Sequence, residues 1–229
     1  MKSAIQNIKV SVDAVVFGYQ QTTGLSILLI KRDIAPFKDS WALPGGLVKD
    51  EESLEQAVER ELQEETGISI NYLEQLYSFG HPHRDPRNRV VSIAYYGLVS
   101  PHNFSLKANT DAKEAAWYPV KQIPQLAFDH SLIIETAIKR LKSKITYEPI
   151  GFELLDKKFP FSALEKLYAT VLDRPIDRRN FKKKIMNYGF VEETAERQAL
   201  EGAGRPGFLY QFNEHKYFEL KSQGIIFEI

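Results

Sequence analysis

The sequence predicts an α/β protein of two domains, with a larger domain over residues 1–147 and a smaller one over residues 148–229. In the first part, short β-branched and aliphatic runs alternate with amphipathic helical patterns, which is typical of an α/β fold. In the second part the order is helix, helix, hairpin. The pattern of predicted elements changes near Tyr147–Leu155, which we take as the boundary between the two domains.

Composition excludes several classes of function before any motif is considered. The chain has 229 residues, 43% of them hydrophobic, with 30 Lys+Arg balanced by 30 Asp+Glu. Because it contains 0 cysteines, it has no disulfide framework, no thiolate metal site and no cysteine nucleophile. The N-terminal MKSAIQNIKV lacks the apolar core of a signal peptide, and no apolar run is long enough for a bilayer. We therefore expect a cytoplasmic protein that makes no membrane contact.

The first domain divides into short strands and two helices. Strands are predicted at residues 8–18, 25–32, 90–99 and 116–119, and helices at residues 53–66 and 131–143. The polar stretch Gln20–Gly24 is turn-like, so the first two strands form a hairpin. Both ends of helix 53–66 carry signals: Ser53 with Gln56 forms a capping box, and Gly67 is a suitable C-terminal residue.

Three carboxylates of this helix lie where a plain structural helix would not place them. At about 100° per residue, Glu61 and Glu65 share the inward arc of Val58 and Leu62, and Glu64 flanks it. Such carboxylates repel one another at i, i+4 and lose solvation. A divalent cation resolves the conflict, because clustered carboxylates suit Mg²⁺ or Mn²⁺. For an isolated ExxEE string, a solvated Glu-rich helix is the alternative.

The surroundings of the helix decide between these interpretations. The string matches every fixed position of the Nudix box and reads Gly46-x5-Glu52-x7-Arg60-Glu61-Leu62-x-Glu64-Glu65-x-Gly67-Ile68. A spaced pattern of this length is rarely accidental. The preceding loop, Leu43-Pro44-Gly45-Gly46, also resembles the family's usual entry to the box.

The resemblance to Nudix proteins implies both a fold and a chemistry. The fold is an α/β/α sandwich with a mixed sheet, in which loop 46–52 and the helix present metal to a diphosphate. Glu61, Glu64 and Glu65 match the metal-binding positions, whereas Glu52 and Arg60 match positions that pair and hold the loop. Such metals neutralise the diphosphate oxygens and lower the pKa of a bound water, which attacks phosphorus. The predicted catalytic set is Gly46, Glu52, Arg60, Glu61, Glu64 and Glu65.

The identity of the general base stays open at this point. Glu114, expected in a loop outside the box, is one candidate, and a solvated surface acid is the alternative interpretation of that residue. His81 and His83 are expected to face solvent.

Four arginines outside the box indicate the class of ligand. The segment Arg84-Asp85-Pro86-Arg87 followed by Arg89, together with Arg32, resembles Nudix proteins that handle ADP-ribose or a related nucleotide diphosphate derivative. A guanidinium fork pairs well with phosphate oxygens. We therefore predict that Arg32, Arg84, Arg87 and Arg89 bind the ligand. A surface salt bridge is the alternative for any one of them.

The second domain begins with a predicted helix at Pro160–Leu172, for which Ser162 is taken as N-cap and Glu165 completes a capping box. Its buried stripe comprises Leu164, Leu167, Tyr168 and Val171. Asp177 caps the next helix, at residues 178–188, and Gly189 ends it. Strands follow at residues 190–194 and 208–212, joined by a long Gly/Arg loop.

The second helix of this domain carries a strongly basic outer face. Because Phe181 and Ile185 face inward, four cations point outward: Arg178, Arg179, Lys182 and Lys183. This is an electrostatic footprint for a phosphate backbone, on the second helix of a helix-turn-helix-like pair. Arg205, between the two strands, could reach a groove of DNA. A merely solvated charged face is the alternative.

This half of the chain resembles the winged helix-turn-helix domain of Nudix-related transcriptional regulators, on Asp177–Lys184 and Gly204-Arg205-Pro206. That group includes repressors of NAD biosynthesis genes and arabinose-responsive relatives. The resemblance implies that the Nudix domain senses a ligand and the winged helix binds a double-stranded DNA operator. A symmetric operator implies a homodimer.

The intact box leaves three hypotheses, since many such regulators have degraded boxes. The first, which we favour, is a ligand-responsive regulator that retains Mg²⁺-dependent pyrophosphohydrolase activity. The second is a metabolic ADP-ribose pyrophosphatase whose C-terminal domain serves dimerisation. The third is a non-catalytic, sugar-sensing regulator.

Overall fold

The computed structural model describes residues 7–104, 106, 112–198 and 207–229, so the predicted DNA contact Arg205 lies outside the described residues. The chain divides into two compact units, which are described separately. The first comprises Met1–Gly18 and Ser26–Lys139, and the second comprises Tyr19–Leu25 and Arg140–Ile229. The finer domain boundary between residues 147 and 148 stays a prediction. In the described part of the chain, no helix has both the length and the apolar character needed to cross a membrane.

The elements up to residue 144 follow the predicted order, with additions. They are β1 (Lys9–Gln20), β2 (Gly24–Arg32), β3 (Trp41–Ala42), β4 (Gly45–Leu47), α1 (Leu54–Thr66), β5 (Tyr72–Phe79), β6 (Val90–Val99), β7 (Ala112–Pro119) and α2 (His130–Lys144). Short 3₁₀ helices lie at Pro101–Asn103 and Val120–Gln122. Strand β6 has the predicted limits, whereas β7 begins earlier than predicted.

Strand β5 was not predicted, and its burial explains why. Leu76 and Phe79 are its buried positions, three residues apart rather than two. The pairing of β5 with β6 shifts register between Gln75 and Tyr77. Because a bulge breaks the alternation of inward and outward side chains, the sequence lacks the period of two on which strand prediction depends.

The strands form a mixed sheet, as predicted. Its order is β3-β2-β1-β6-β5, with β4 also paired to β1 and β7 to β2. Strands β1 and β6 are parallel from Lys9↔Val90 to Gly18↔Val99, and β5 is antiparallel to β6. Strand β1 therefore lies inside the sheet, between β2 and β6.

Both faces of β1 are buried. Val58 and Leu62 of α1 belong to the same core cluster as Val12. Val15 and Phe17 have no exposed surface either, and alternation places them on the opposite face of the strand. A central strand covered on both faces is the property expected of a layered sandwich.

The predicted caps of α1 are confirmed. Ser53 Oγ accepts a hydrogen bond from the Gln56 amide at 3.2 Å, and the Gln56 side chain accepts one from the Ser53 amide at 2.8 Å. Gly67 ends the helix in the left-handed conformation, with φ of 72°. These caps fix where the helix begins and ends, and hence which residues face the sheet.

The second unit contains the predicted helix, helix, hairpin and two further elements. Its helices and strands are β8 (Lys158–Pro160), α3 (Phe161–Leu172), α4 (Arg178–Tyr188), β9 (Val191–Arg197), β10 (Phe208–Phe212) and α5 (Glu214–Ser222), after a 3₁₀ helix at Ile150–Leu154. The three strands form an antiparallel sheet in the order β8-β10-β9. Strand β8 and helix α5 were not predicted.

The predicted N-cap of α3 is wrong. Pro160, not Ser162, is the N-cap residue, and it makes no side-chain capping bond. Pro160 also pairs with Leu209 of β10, so the chain passes from strand to helix without a polar cap. The helix then begins with the buried Phe161, and Glu165 reaches a cation of α4 instead of the helix start.

The remaining helix predictions of this unit are confirmed. Asp177 accepts a hydrogen bond from the Asn180 amide at 2.8 Å, and Gly189 ends α4 with φ of 76°. Phe181 and Ile185 of α4 are buried, and so is the predicted stripe of α3, namely Leu164, Leu167, Tyr168 and Val171.

Candidate functional site

A cavity of about 520 Å³ opens beside β1, β4 and α1 in the first unit. It collects most of the site residues that the sequence predicted. The predicted residues on its wall are Gly46, Arg60, Glu61, Glu64, Glu65, Arg32, Arg84 and Arg87. Arg89 does not line the cavity, and its Nη1 donates to the carbonyl of Val90 at 3.3 Å.

The predicted pair of Glu52 and Arg60 is present. Arg60 donates from Nε to Glu52 Oε2 at 2.9 Å and from Nη2 to Oε1 at 2.6 Å, a bidentate contact. Glu52 also accepts from the Lys49 amide at 2.7 Å, so the pair ties loop 46–52 to α1. The Arg60 guanidinium lowers the pKa of Glu52 to about 2.

Glu61 is partly buried on this wall. Burial raises the pKa of its carboxyl, against the opposing effect of Arg60, whose Nη1 is 2.7 Å from Glu61 Oε1. The same Nη1 is 3.3 Å from Glu64 Oε2. Glu65 is 4% exposed and accepts from the Gly45 amide at 2.9 Å. The helix thus places three carboxylates on the cavity wall, and two of them, Glu61 and Glu65, approach the glycine-rich strand β4.

The donors on this wall fit a divalent cation by their chemistry. Three carboxylates supply hard oxygen ligands of the kind that Mg²⁺ and Mn²⁺ prefer, and they border the same cavity. A Cβ on Gly46 would come within 2.2 Å of Glu61 Oε1, so the bare backbone is what lets this carboxylate approach the strand. Arg60 holds two of the three, and the described residues contain no group of three acidic or histidine side chains already arranged as metal ligands.

A buried polar network forms another part of the cavity wall. Arg84 donates to Asp129 at 2.7 and 3.0 Å and to Asp13 Oδ2 at 3.2 Å. Ser92 donates to the same Asp13 oxygen. Because Arg84 is 8% exposed and bound to two carboxylates, its guanidinium holds the wall together as well as facing the cavity.

His130, at the start of α2, fixes the loop that enters the box. Its Nδ1 accepts a hydrogen bond from the Leu43 amide at 2.8 Å, and its Nε2 is 3.5 Å from Asp13 Oδ1. Burial lowers the pKa of His130, against the effect of Asp13, so the neutral ring can act as acceptor. Sequence reasoning missed Asp13, Asp129 and His130, because no local pattern connects residues 71 and 87 positions apart.

A further cluster on the cavity wall surrounds Phe128, another residue that the sequence did not indicate. The guanidinium carbon of Arg32 is 5.0 Å from the ring centroid of Phe128, and that of Arg87 is 5.9 Å away. Arg32 donates from Nε to the Pro36 carbonyl at 3.0 Å, and Arg87 pairs with Asp85 at 2.8 Å. The cavity is therefore lined both by a group of carboxylates and by cations over an aromatic ring.

The other predicted polar residues lie away from this cavity. Glu114 is exposed and belongs to β7, where it pairs with Lys31, so its predicted location in a loop is wrong. His81 and His83 are exposed, as predicted.

The second unit presents the basic face of α4. Arg178, Arg179, Lys182 and Lys183 are all exposed, and they line one open groove together with Met186 and Asn187. Arg178 Nε lies 3.4 Å from Glu165 Oε2. The predicted outward direction of the four cations is thus present in the structure.

Comparison with known proteins explains this combination of a cavity and a basic helix. A model of the NUDIX domain matches residues 7–139, and a model of the NrtR DNA-binding winged helix domain matches residues 151–212. The chain belongs to the Nudix family. The predicted fusion of a Nudix domain with a regulator-type winged helix is confirmed.

Two relatives show how far the similarity extends. The ADPR responsive transcriptional repressor NtrR of Acinetobacter baylyi is 32% identical over 220 residues, which cover 94% of this chain and 86% of that protein. The ADP-ribose pyrophosphatase of Methanocaldococcus jannaschii is 46% identical over 109 residues, which cover 48% of this chain and 63% of that protein. The first relative matches both domains, and the second matches only part of the chain.

Two solved structures of Shewanella oneidensis NrtR resemble the chain. The full protein complexed with a 27mer DNA is 32% identical with a TM-score of 0.76, covering 90% of this chain and 94% of that one. Its NUDIX domain complexed with ADP ribose is 37% identical with a TM-score of 0.55, covering 62% of this chain and 93% of that one. The Nudix domain and the winged helix of this chain thus both have counterparts of known structure.

Proposed function

We propose that this protein is a transcriptional repressor that binds an operator through its winged helix and responds to ADP-ribose bound in its Nudix domain. The observation that carries the proposal is the row of outward cations on α4, in the same chain as a cavity with a complete Nudix box. A plain metabolic hydrolase has no need of a basic helix beside a hairpin. The resemblance to an ADPR responsive repressor over both domains supports the same function.

ADP-ribose suits the two sides of the cavity. Its diphosphate is attracted to the guanidinium groups of Arg32 and Arg87, since a planar fork pairs with phosphate oxygens. The carboxylates of Glu61, Glu64 and Glu65 repel a diphosphate unless a cation lies between them. We propose that Arg32 and Arg87 hold the ligand even without a metal, and that Mg²⁺ or Mn²⁺ strengthens this binding and permits cleavage. Arg84 shapes the wall while its own charge is balanced by aspartates. Because Arg89 does not line the cavity, it is not among the ligand contacts that we propose.

We assign DNA binding to the face of α4 that carries Arg178, Arg179, Lys182 and Lys183, and to Arg205. A helix with charges on its outer face can enter a major groove while a hairpin contacts the adjoining backbone. Operators of such proteins are commonly symmetric, so we propose that the protein binds as a homodimer. Electrostatic attraction to phosphates makes this binding dependent on salt.

Hydrolysis of ADP-ribose to AMP and ribose 5-phosphate is the second activity that we propose. The complete box and the similarity to an ADP-ribose pyrophosphatase favour it. Glu61, Glu64 and Glu65 would hold the cation, and Arg60 with Glu52 would fix the loop. When bound, such a cation neutralises the diphosphate oxygens and acidifies a bound water.

Fluorescence anisotropy on labelled DNA from upstream of the coding region tests the repressor function. We expect tight binding in excess nonspecific competitor, weakened by ADP-ribose in EDTA, which prevents cleavage. Replacement of two cations, Arg178→Ala with Arg179→Ala, should abolish specific binding, whereas a charge-matched control, Lys139→Ala with Lys142→Ala, should not. Specific binding that L-arabinose but not ADP-ribose alters would instead support a sugar sensor. If the protein binds no duplex specifically, neither the upstream DNA nor one selected from a random library, the metabolic hydrolase becomes the better interpretation.

AMP release from ADP-ribose with Mg²⁺ tests the hydrolase activity separately. The parent should release AMP, and Glu64→Gln should not, although it still binds ADP-ribose in EDTA. Undetectable turnover by a parent that binds ADP-ribose tightly would show a non-catalytic sensor.

A further inference from the structure

Lys182 differs from the other outward cations of α4 in its contacts. Its Nζ donates a hydrogen bond to Tyr210 Oη at 3.0 Å. The same Nζ lies 5.1 Å from the ring centroid of Tyr210 and 5.3 Å from that of Phe161. The side chain of Lys183, the next residue, has no hydrogen bond, ion pair or ring contact in the described parts of the chain. One lysine is therefore held by the hairpin, and its neighbour is solvated.

The contacts of Lys182 continue through Tyr210 into both strands of the hairpin. Tyr210 Oη donates to Glu193 Oε2 at 2.8 Å. Tyr210 is 4% exposed and pairs with Glu193 of β9 and with Phe159 of β8. A buried hydroxyl thus accepts from an ammonium and donates to a carboxylate. Hydrogen bonds to charged groups are stronger than neutral ones, and both act here on one phenol.

The aromatic packing fixes the same position of α4. The rings of Phe161 and Tyr210 are 5.4 Å apart in an edge-on arrangement, and Phe161 lies 5.9 Å from Phe181 of α4. Lys182 covers the outer side of this cluster with its charge over two rings, an arrangement that attracts cations. The start of α3, the helix α4 and the strand β10 therefore meet at one lysine.

We propose that Lys182 is a positioning residue that fixes the hairpin of β9 and β10 against α4, rather than a contact to a DNA phosphate. This rests on the proposed DNA-binding function of the domain. Its charge faces Glu193 through the Tyr210 hydroxyl, whereas the charge of Lys183 faces solvent. The angle between hairpin and helix decides whether both reach the DNA at once, so the loss of Lys182 should affect the fit to a specific site.

The two roles predict different responses to salt and to DNA sequence. A lysine that neutralises a phosphate supports specific and nonspecific binding alike, and its removal reduces the salt slope by about one. A positioning residue supports specific binding alone. We therefore expect Lys182→Met to weaken binding to the specific duplex about five- to tenfold, with nonspecific affinity and salt slope unchanged. Lys183→Met, the matched control, should weaken both and reduce the slope.

Tyr210→Phe provides a variant without any change of charge. It removes the hydroxyl that joins Lys182 to Glu193, so it should lower specific affinity to a similar degree. The double variant, Lys182→Met with Tyr210→Phe, should bind the specific duplex no more weakly than the weaker-binding of the two single variants, because both substitutions remove the same connection. Lys182→Arg should retain most of the affinity, since a guanidinium also donates to the hydroxyl and stacks on the rings.

The experiment measures anisotropy on a duplex selected by the parent protein from a random library and on a scrambled duplex, at several salt concentrations. Hydrogen exchange of the β9 and β10 amides is measured on the same variants, and it should be faster in Lys182→Met but not in Lys183→Met. Additive losses and a reduced salt slope for Lys182→Met would overturn the positioning role. A parent that selects no duplex would refute the proposed DNA binding itself. If Lys182→Met does not fold, Tyr210→Phe and Lys182→Arg decide the matter.

Discussion

Gly46 lies so close to the carboxylate of Glu61 that a side chain cannot fit between them. A Cβ at this position would be 2.2 Å from Oε1 and 2.7 Å from Cδ of Glu61. Real Cβ contacts are never so short, so one group would have to move. The first glycine of the box is thus explained at the scale of one residue by a contact, not by an unusual backbone angle.

Gly46→Ala should therefore separate metal binding from stability. The atoms in the way belong to the flexible end of a side chain, so the carboxylate moves and the backbone stays. We expect Mn²⁺ affinity to fall by at least about tenfold, with little change in the thermal midpoint. The affinity is measured by electron paramagnetic resonance titration of Mn²⁺. Gly80→Ala is the control, because its Cβ would meet Val91 Cγ2 at an ordinary 3.6 Å; equal affinities for the two variants would contradict this role of Gly46.

Glu52 makes stability depend on pH in a defined direction. Its pKa is about 2 in the folded protein, below the ordinary value of 4.5, because Arg60 binds the ionised form. The stabilisation is therefore complete above pH 4.5 and disappears as the pH falls toward 2. Glu52→Gln should be less stable than the parent at neutral pH, and the difference should shrink over that acidic range.

Urea denaturation of the parent and the variant across this range measures the difference in the free energy of unfolding. Glu51→Gln, a change at the exposed neighbouring residue, should show no such dependence. A difference between parent and Glu52→Gln that stays constant down to the lowest pH would mean that the ion pair does not stabilise the loop.

Among the elements, α3 and α4 begin in physically different ways. Helix α4 begins at a polar cap, because Asp177 accepts a hydrogen bond from the Asn180 amide. Helix α3 follows a paired strand directly and begins with a buried aromatic ring. Tertiary packing therefore determines the start of α3, whereas a local hydrogen bond determines the start of α4.

This difference predicts unequal effects of two similar substitutions. Asp177→Ala should lower the free energy of unfolding by about 1 kcal/mol, because it removes a cap. Ser162→Ala should change it by less than about 0.5 kcal/mol, although Ser162 has the sequence pattern of a cap. Both values come from chemical denaturation of the full chain. An equal loss for Ser162→Ala would mean that the serine stabilises the helix start after all.

At the scale of the whole molecule, the proposed function requires the two ligands to influence one another. Under that function, ADP-ribose weakens operator binding by some factor, and thermodynamic linkage demands that operator DNA weaken ADP-ribose binding by the same factor. Typical couplings of this kind are about 5- to 150-fold. A ligand with equal affinity for the two states would change nothing.

We expect the two factors to agree when they are measured independently. Calorimetry with ADP-ribose in EDTA, with and without saturating operator, gives one factor, and anisotropy with and without saturating ADP-ribose gives the other. Unequal factors would mean that ADP-ribose acts by a route other than binding to the DNA-competent protein, such as a change in its association state.

Features encoded by neighbouring residues could be predicted from the sequence. The capping box of α1, the inward arc of Glu61 and Glu65, and the outward cations of α4 all follow from helical period and local hydrogen bonds. The carboxylate cluster could be recognised because all three glutamates belong to one helix, where their position on or beside the inward face conflicts with their charge. The resemblance to a family supplied the ligand class and the regulator architecture.

Other features were decided only by the tertiary structure. The contacts of Asp13 with Arg84 and of His130 with Leu43, and the hydrogen bond from Lys182 to Tyr210, each join segments distant in sequence. The structure also decided that Arg89 does not line the cavity. A helix cap or a helical hydrophobic period depends on residues a few positions apart, so it can be recognised from the local sequence. The partner of a buried charge depends on which strands pair and which faces meet, and that is known only once the chain has folded.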